Sequence, residues 1–114
     1  MTIRCLLVDD SPAFLAAASA LLIAQGMEIV ATARDAAEAE RLVEEVEPDV
    51  ALVDIELGED DGIELAHRLA PRTPVVLIST HERPELDDLI ASSPAAGFLP
   101  KTGLAANAIS ELIR

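Results

Sequence analysis

Five short apolar runs, each followed by a segment with helical spacing, fill almost the whole chain, and this alternation narrows the choice of fold more than any other feature. The first run, Ile3 to Val8, leads into Ser11-Pro12, a capping hydroxyl with a proline at the first helical position. Phe14, Ala17, Ala18, Leu21 and Leu22 then recur as a helical core stripe, and Gly26 closes the segment. Glu28 to Thr32 reads as a second strand. Asp35 caps a second helix with Ala39, Leu42, Val43 and Val46 on its apolar face, and Pro48 stops it. Asp49 to Ile55 is apolar on both faces, as a central parallel strand should be. An acidic turn between Gly58 and Gly62 precedes a short third helix carrying Ile63, Leu65, Ala66 and Leu69, which ends before Pro71. Val75 to Ile78 is the fourth strand, Arg83 to Ser92 the fourth helix and Ala96 to Leu99 the fifth strand. Thr102 is expected to cap a last helix through Ile113.

Strands alternating with helices specify a parallel sheet covered on both faces, joined by right-handed crossovers. The expected fold is α/β: a doubly wound, five-stranded (βα)5 sheet. At 114 residues, the chain has room for one core and reads as one domain over 1–114.

Two of the runs end in carboxylates. Asp9-Asp10 follows the first strand, and Asp54 follows Val50-Ala51-Leu52-Val53. An apolar strand loses stability by holding ionised groups at its end unless something compensates them. Three converging acids would also raise one another's proton affinity. A cation held by oxygens removes both difficulties, and hard carboxylates suit magnesium. In doubly wound sheets, ligands bind beyond the carboxyl ends of the strands. Asp9-Asp10, Asp54, Ser79-Thr80 and Lys101 all fall at that edge.

Composition removes several functions. The net charge of −13 opposes binding to nucleic acid phosphates or anionic lipid. Cys5 is the one cysteine and lies inside an apolar run, so it reads as an inert core thiol. There is no signal-like segment and no apolar run long enough to span a bilayer, so the expected location is the cytoplasm. Phe14 and Phe98 are the only aromatics.

The acidic pair in LLVDD, the aspartate in ALVDIELGEDDG, the hydroxyl in VVLIST and the lysine in GFLPK, in that order, resemble the response-regulator receiver domain of two-component signalling. The resemblance covers essentially the whole chain. It implies a flavodoxin-like sheet of strand order 2-1-3-4-5. It also implies that Asp54 accepts a phosphoryl group from a histidine kinase or histidine phosphotransfer protein. By the same resemblance, Asp9, Asp10, Asp54 and the backbone carbonyl of Glu56 hold Mg2+, with Asp9 acting through water. Lys101 pairs with a phosphoryl oxygen after transfer. Ser79, or Thr80 in its place, supplies the switch hydroxyl. Phe98, nineteen residues on from Ser79, is either the aromatic half of that switch or static core.

Such a domain catalyses only its own phosphorylation and slow dephosphorylation and is otherwise no enzyme. It docks an output partner and admits a phosphorylation-dependent homodimer. The chain reads as a single-domain response regulator, or as the receiver half of a DNA-binding regulator cut from a longer chain. Gly58 and Thr102 stand where many receivers carry proline, and the segment from Gly62 to Pro74 is short, which bears on loop geometry and partner choice.

Three other functions compete. Asp54-Ile55-Glu56 resembles the acidic motif of haloacid-dehalogenase-like phosphatases, whose nucleophile however follows the first strand. A flavin or nucleotide binder would need a glycine-rich loop after the first strand, and none is present. A non-phosphorylated interaction module would not need the intact acids and lysine. His67 and His81 read as surface residues, with His81 near enough to the site to tune hydrolysis, and Gly62 reads as structural. On the first helix, Leu15, Ser19 and Ile23 form a line beside the core stripe, and Leu15, then Ile23, is expected to anchor the phosphodonor protein.

Overall fold

A computed structural model of the chain describes residues 2–80 and 84–114. His81 and Arg83, the latter expected to open the fourth helix, lie outside the described residues. In chain order the elements are β1 (Arg4–Val8), α1 (Pro12–Ala24), β2 (Glu28–Ala33), α2 (Ala36–Val46), β3 (Val50–Asp54), β4 (Glu56–Leu57), β5 (Asp60–Asp61), α3 (Gly62–Leu69), β6 (Val75–Ser79), α4 (Asp87–Ser92), β7 (Gly97–Pro100) and α5 (Ala106–Ile113). Five parallel strands form one sheet in the order β2-β1-β3-β6-β7. With the small β4–β5 hairpin set aside, this is the expected 2-1-3-4-5.

The two-residue period of each strand divides its side chains between two cores. Leu6, Val8, Ala51, Val53, Val75 and Leu77 face α2 and α3, where Ala39, Val43, Leu65 and Ala66 meet them. Cys5, Leu7, Val50, Leu52, Val76 and Ile78 face the other way, against Leu15, Ala18 and Leu22 of α1 and Ile109 of α5. Every residue of β3 and β6 is buried, which is why both strands read as unbroken apolar runs.

The helix ends follow local chemistry. Ser11 Oγ accepts from Phe14 N, and Asp35 Oδ1 accepts from Glu38 N, so both expected N-caps form. Helix α2 ends one residue before Glu47, whose φ of 45° is left-handed. The Arg4 guanidinium donates to the carbonyls of Val46 and Glu47 there.

Four expectations need correction. The core stripe of α1 is Leu15, Ala18 and Leu22, while Ala17 and Leu21 are exposed. The helix is apolar nearly all round, so its pattern did not set its rotation. Leu15 is 7% exposed and belongs to the core, so it anchors no partner; Ile23, at 56%, does stand on the surface. Thr102 does not cap the last helix. Residues Lys101–Gly103 wind into a 3-10 turn, and Gln25 Oε1, reaching from the end of α1, accepts from Ala106 N at 2.7 Å. The fourth helix is also shorter than expected, with a 3-10 turn at Pro84–Leu86 ahead of Asp87–Ser92.

Candidate functional site

Sheet register builds the site. Val8 lies beside Val53, Asp54 beside Ile78, and Ser79 beside Pro100, so Asp9, Asp54, Ser79 and Lys101 emerge at one carboxyl edge. Asp9 and Asp54 are buried, at 1% and 6% exposure, and Asp10 is exposed.

The two buried acids are held alike. Asp9 Oδ1 accepts from Ser11 N at 2.8 Å, and Asp54 Oδ1 accepts from Glu56 N at 3.0 Å. Each carboxylate thus spends one oxygen on the amide two residues ahead and turns Oδ2 to the cleft. Lys101 Nζ lies 2.6 Å from Asp9 Oδ2 and 3.1 Å from Asp54 Oδ2. The same ammonium lies over the Phe14 ring, 4.1 Å from its centroid.

Charge balance follows from this packing. Burial, with repulsion from Asp9, pushes the Asp54 carboxyl up from 3.8 to about 6, although Lys101 pulls the other way. Burial alone would lower the Lys101 pKa, but its bonds and charge pairing with Asp9 and Asp54 outweigh that, and the net shift is upward. The neutral form of Asp54 and the charged form of Lys101 are both favoured over their ordinary balance.

The cleft has a volume of about 690 Å³ and is walled by the three acids, Ser11, Phe14, Glu56, Gly58, Ser79, Thr80 and Lys101. One oxygen from each of Asp9, Asp10 and Asp54 lies within 4.8 Å of the others, a cluster that could hold a metal ion. The donors are hard oxygens. Asp9 Oδ2 is buried and accepts no aligned hydrogen bond, so the ammonium charge alone compensates it. A modest side-chain adjustment would close the three oxygens around a small hard dication. The residues present therefore fit such an ion.

The loop after Asp54 is tightly built. Glu56 pairs with Asp61, and Leu57 with Asp60, in the β4–β5 hairpin. Gly58 has φ +66°, at the position a type II′ hairpin turn reserves for glycine and where proline's fixed φ would not fit. Asp60 Oδ2 ties the hairpin to α2 by accepting from Ala36 N. Gly62 packs beneath the site: a Cβ there would lie 1.9 Å from the carbonyl oxygen of Asp54.

Most of the expected site residues meet in this cleft. Ser79 is buried in its wall, and the exposed Thr80 and Glu56 also line it. Phe98 is half-buried outside the cleft wall, against the core on the α2–α3 side with Leu86 and Ile90. His67 is exposed on α3, outside the cleft wall. Ser11, Phe14 and Gly58 are the wall residues that sequence reasoning did not assign to the site. Phe14 lies four residues beyond Asp10, one helical turn into α1, and that spacing was the available signal.

The molecule is thus a doubly wound α/β protein whose carboxyl edge carries a cleft of three aspartates and one lysine. The chain belongs to the response regulator receiver domain family, whose model matches residues 5–114. Receiver domains are phosphorylated by histidine kinases or phosphotransfer proteins. Among curated relatives, the protein-glutamate methylesterase/protein-glutamine glutaminase of Haloarcula marismortui is 36% identical over 89% of this chain and 28% of its own length. The Agrobacterium fabrum protein of the same name is 35% identical over 83% of this chain and 28% of its own. The chain spans about a quarter of the length of these relatives. Among solved structures, the response regulator domain of Thermotoga maritima CheB superposes with a TM-score of 0.83 at 27% identity, covering 100% of this chain and 95% of that one. A LuxR-family two-component response regulator from Aurantimonas sp. SI85-9A1 gives 0.86 at 26% identity, covering 99% and 86%. No helix among the described residues is long and apolar enough to cross a membrane.

Proposed function

We propose that residues 1–114 form one phosphoacceptor receiver and that Asp54 is the residue phosphorylated. The observation that carries this reading is the pair of buried carboxylates sharing one ammonium at the sheet edge. An oxygen of Asp54 attacks phosphorus. The phosphorus–nitrogen bond of a phosphohistidine breaks, and the imidazole leaves with the electron pair. Asp54 performs this as a carboxylate, so the proton that burial favours must be absent at the moment of attack. Lys101 gives up Asp54 Oδ2 and meets a phosphoryl oxygen, where a compact ammonium on a flexible stem serves well. Ser79, buried in the wall of the same cleft, donates its hydroxyl to another phosphoryl oxygen, and Phe98 on the next strand repacks in response.

Asp9, Asp10, Asp54 and the Glu56 carbonyl are the groups that would hold Mg2+. When bound, Mg2+ neutralises the acids and the charge gathering on the phosphoryl oxygens. The phosphodonor is a histidine kinase or histidine phosphotransfer protein, and the output is docking to a further protein. The methylesterase activity named for the relatives is not carried over, because the chain matches only about a quarter of their length.

Acetyl phosphate tests the reading without a partner protein. Intact-mass measurement should show one added phosphoryl group in the presence of Mg2+, removed by hydroxylamine and absent in Asp54→Ala. Labelling of that variant at the wild-type rate would sink the assignment.

A further inference from the structure

We infer that Phe14 is a positioning residue for Lys101, holding the ammonium in the cleft by cation–π attraction. The inference rests on the phosphoacceptor reading of the same cleft. Lys101 Nζ stands 4.1 Å from the Phe14 centroid and also meets Asp9 Oδ2 and Asp54 Oδ2. The ring is itself fixed: its backbone N–H is bonded to the Ser11 cap, and it packs against the α1–α5 core. Phe14 is half-buried and, among the described residues, is the one aromatic in the cleft wall, on a helix otherwise made almost wholly of small and aliphatic residues.

The ring supplies something the carboxylates do not. An aromatic face attracts a cation without imposing the direction of a lone pair. When a phosphoryl group forms on Asp54, the ammonium has to exchange a carboxylate oxygen for a phosphoryl oxygen. Over the ring it can turn through that exchange without being released to water. Held only by Asp9 during the exchange, it would have a single partner. Phe14 touches Lys101 and not the reacting atoms, so its action is through the lysine.

Fluorinated phenylalanines placed at position 14 separate this role from packing, since fluorination drains the ring face of negative potential with little change of shape. The expected result is a stepwise fall in the acetyl phosphate labelling rate from phenylalanine through monofluoro- to pentafluorophenylalanine. The total fall should be about two- to thirtyfold, the range expected of a half-exposed to desolvated cation–π contact. Phe14→Leu, which keeps apolar bulk, should fall at least as far. By NMR, the Lys101 ε-methylene protons should show an upfield ring-current shift that disappears in Phe14→Leu. Equal labelling rates across the fluorinated series, or no ring-current shift in the wild type, would overturn the inference. A wild type that does not label at all counts against the phosphoacceptor reading instead, and the ring-current shift then decides the clamp by itself.

Discussion

Replacing Asp54 by asparagine should make the metal-free protein more stable at neutral pH while ending its phosphorylation. Burial and the neighbouring Asp9 lift the Asp54 carboxyl from 3.8 to about 6, a value that already nets the attraction of Lys101 against both. The folded state therefore binds the Asp54 proton more tightly than the unfolded state does. A shift of this size corresponds to about 3 kcal/mol of stability lost once the pH is above both values. Asparagine removes the charge and keeps an Oδ1 acceptor for Glu56 N. Its Nδ2 then confronts the Lys101 ammonium donor to donor, which trims the gain to roughly 2 kcal/mol, or several degrees of melting temperature for a domain of this size.

The pH dependence supplies the sign. A carboxyl whose folded pKa is raised contributes stability that is complete below the unfolded value and lost as pH rises through the folded one. The gap between Asp54→Asn and wild type should be widest at pH 7.5, narrow as pH falls through about 6, and close near pH 4. Denaturant melts in chelator across that range are the assay. Saturating Mg2+ should restore the wild type by mass action, by about 3 kcal/mol at a hundredfold excess over Kd, and so erase or reverse the gap. A variant no more stable than wild type at pH 7.5 in chelator, or a gap indifferent to pH, would refute the reasoning.

Two further substitutions probe the frame around the site. Leu15→Ser should cost about 3–5 kcal/mol in urea melts, because Leu15 is core and the serine hydroxyl would be buried with it; an unchanged midpoint would return Leu15 to the surface. Gly62→Ala should cost more than about 3 kcal/mol, since its Cβ would overlap the Asp54 carbonyl and no rotamer relieves a backbone clash. Wild-type stability in that variant would show that the chain there has room.

What was legible in the sequence was whatever strand periodicity controls. Parallel strands buried on both faces write themselves as apolar runs, and a residue that ends such a run is placed at the sheet edge. Asp9, Asp54, Ser79 and Lys101 were found in this way. Helix rotation was less legible. In α1, Ser19 is the only polar residue between Pro12 and Ala24, so the sequence held no contrast from which to choose between the Phe14 and Leu15 faces. The cap of α5 could not be read at all, because Gln25 lies 81 residues away from Ala106. The β4–β5 hairpin was seen only as a glycine-bounded turn, since two residues per strand leave no alternation to read.

The way the two buried aspartates are held explains why their charge stays available. A carboxylate repelled by a neighbour would ordinarily rotate or swing toward water. Here each Oδ1 is bonded to an amide two residues ahead, so neither carboxylate turns without giving up a half-buried hydrogen bond. Both Oδ2 atoms consequently remain in the cleft, and three kinds of partner can compensate them: a proton, the Lys101 ammonium, or a hard dication. The ammonium holds both oxygens in this structure. A dication drawn to Asp54 also recruits the exposed Asp10, which Lys101 does not reach as an ion pair among the described residues. Competition for the same oxygens therefore makes the position of Lys101 depend on what else the cleft holds. The carboxylates are thus set for a positive partner before any ligand arrives, and it is the ammonium rather than the acids that has to move when one does.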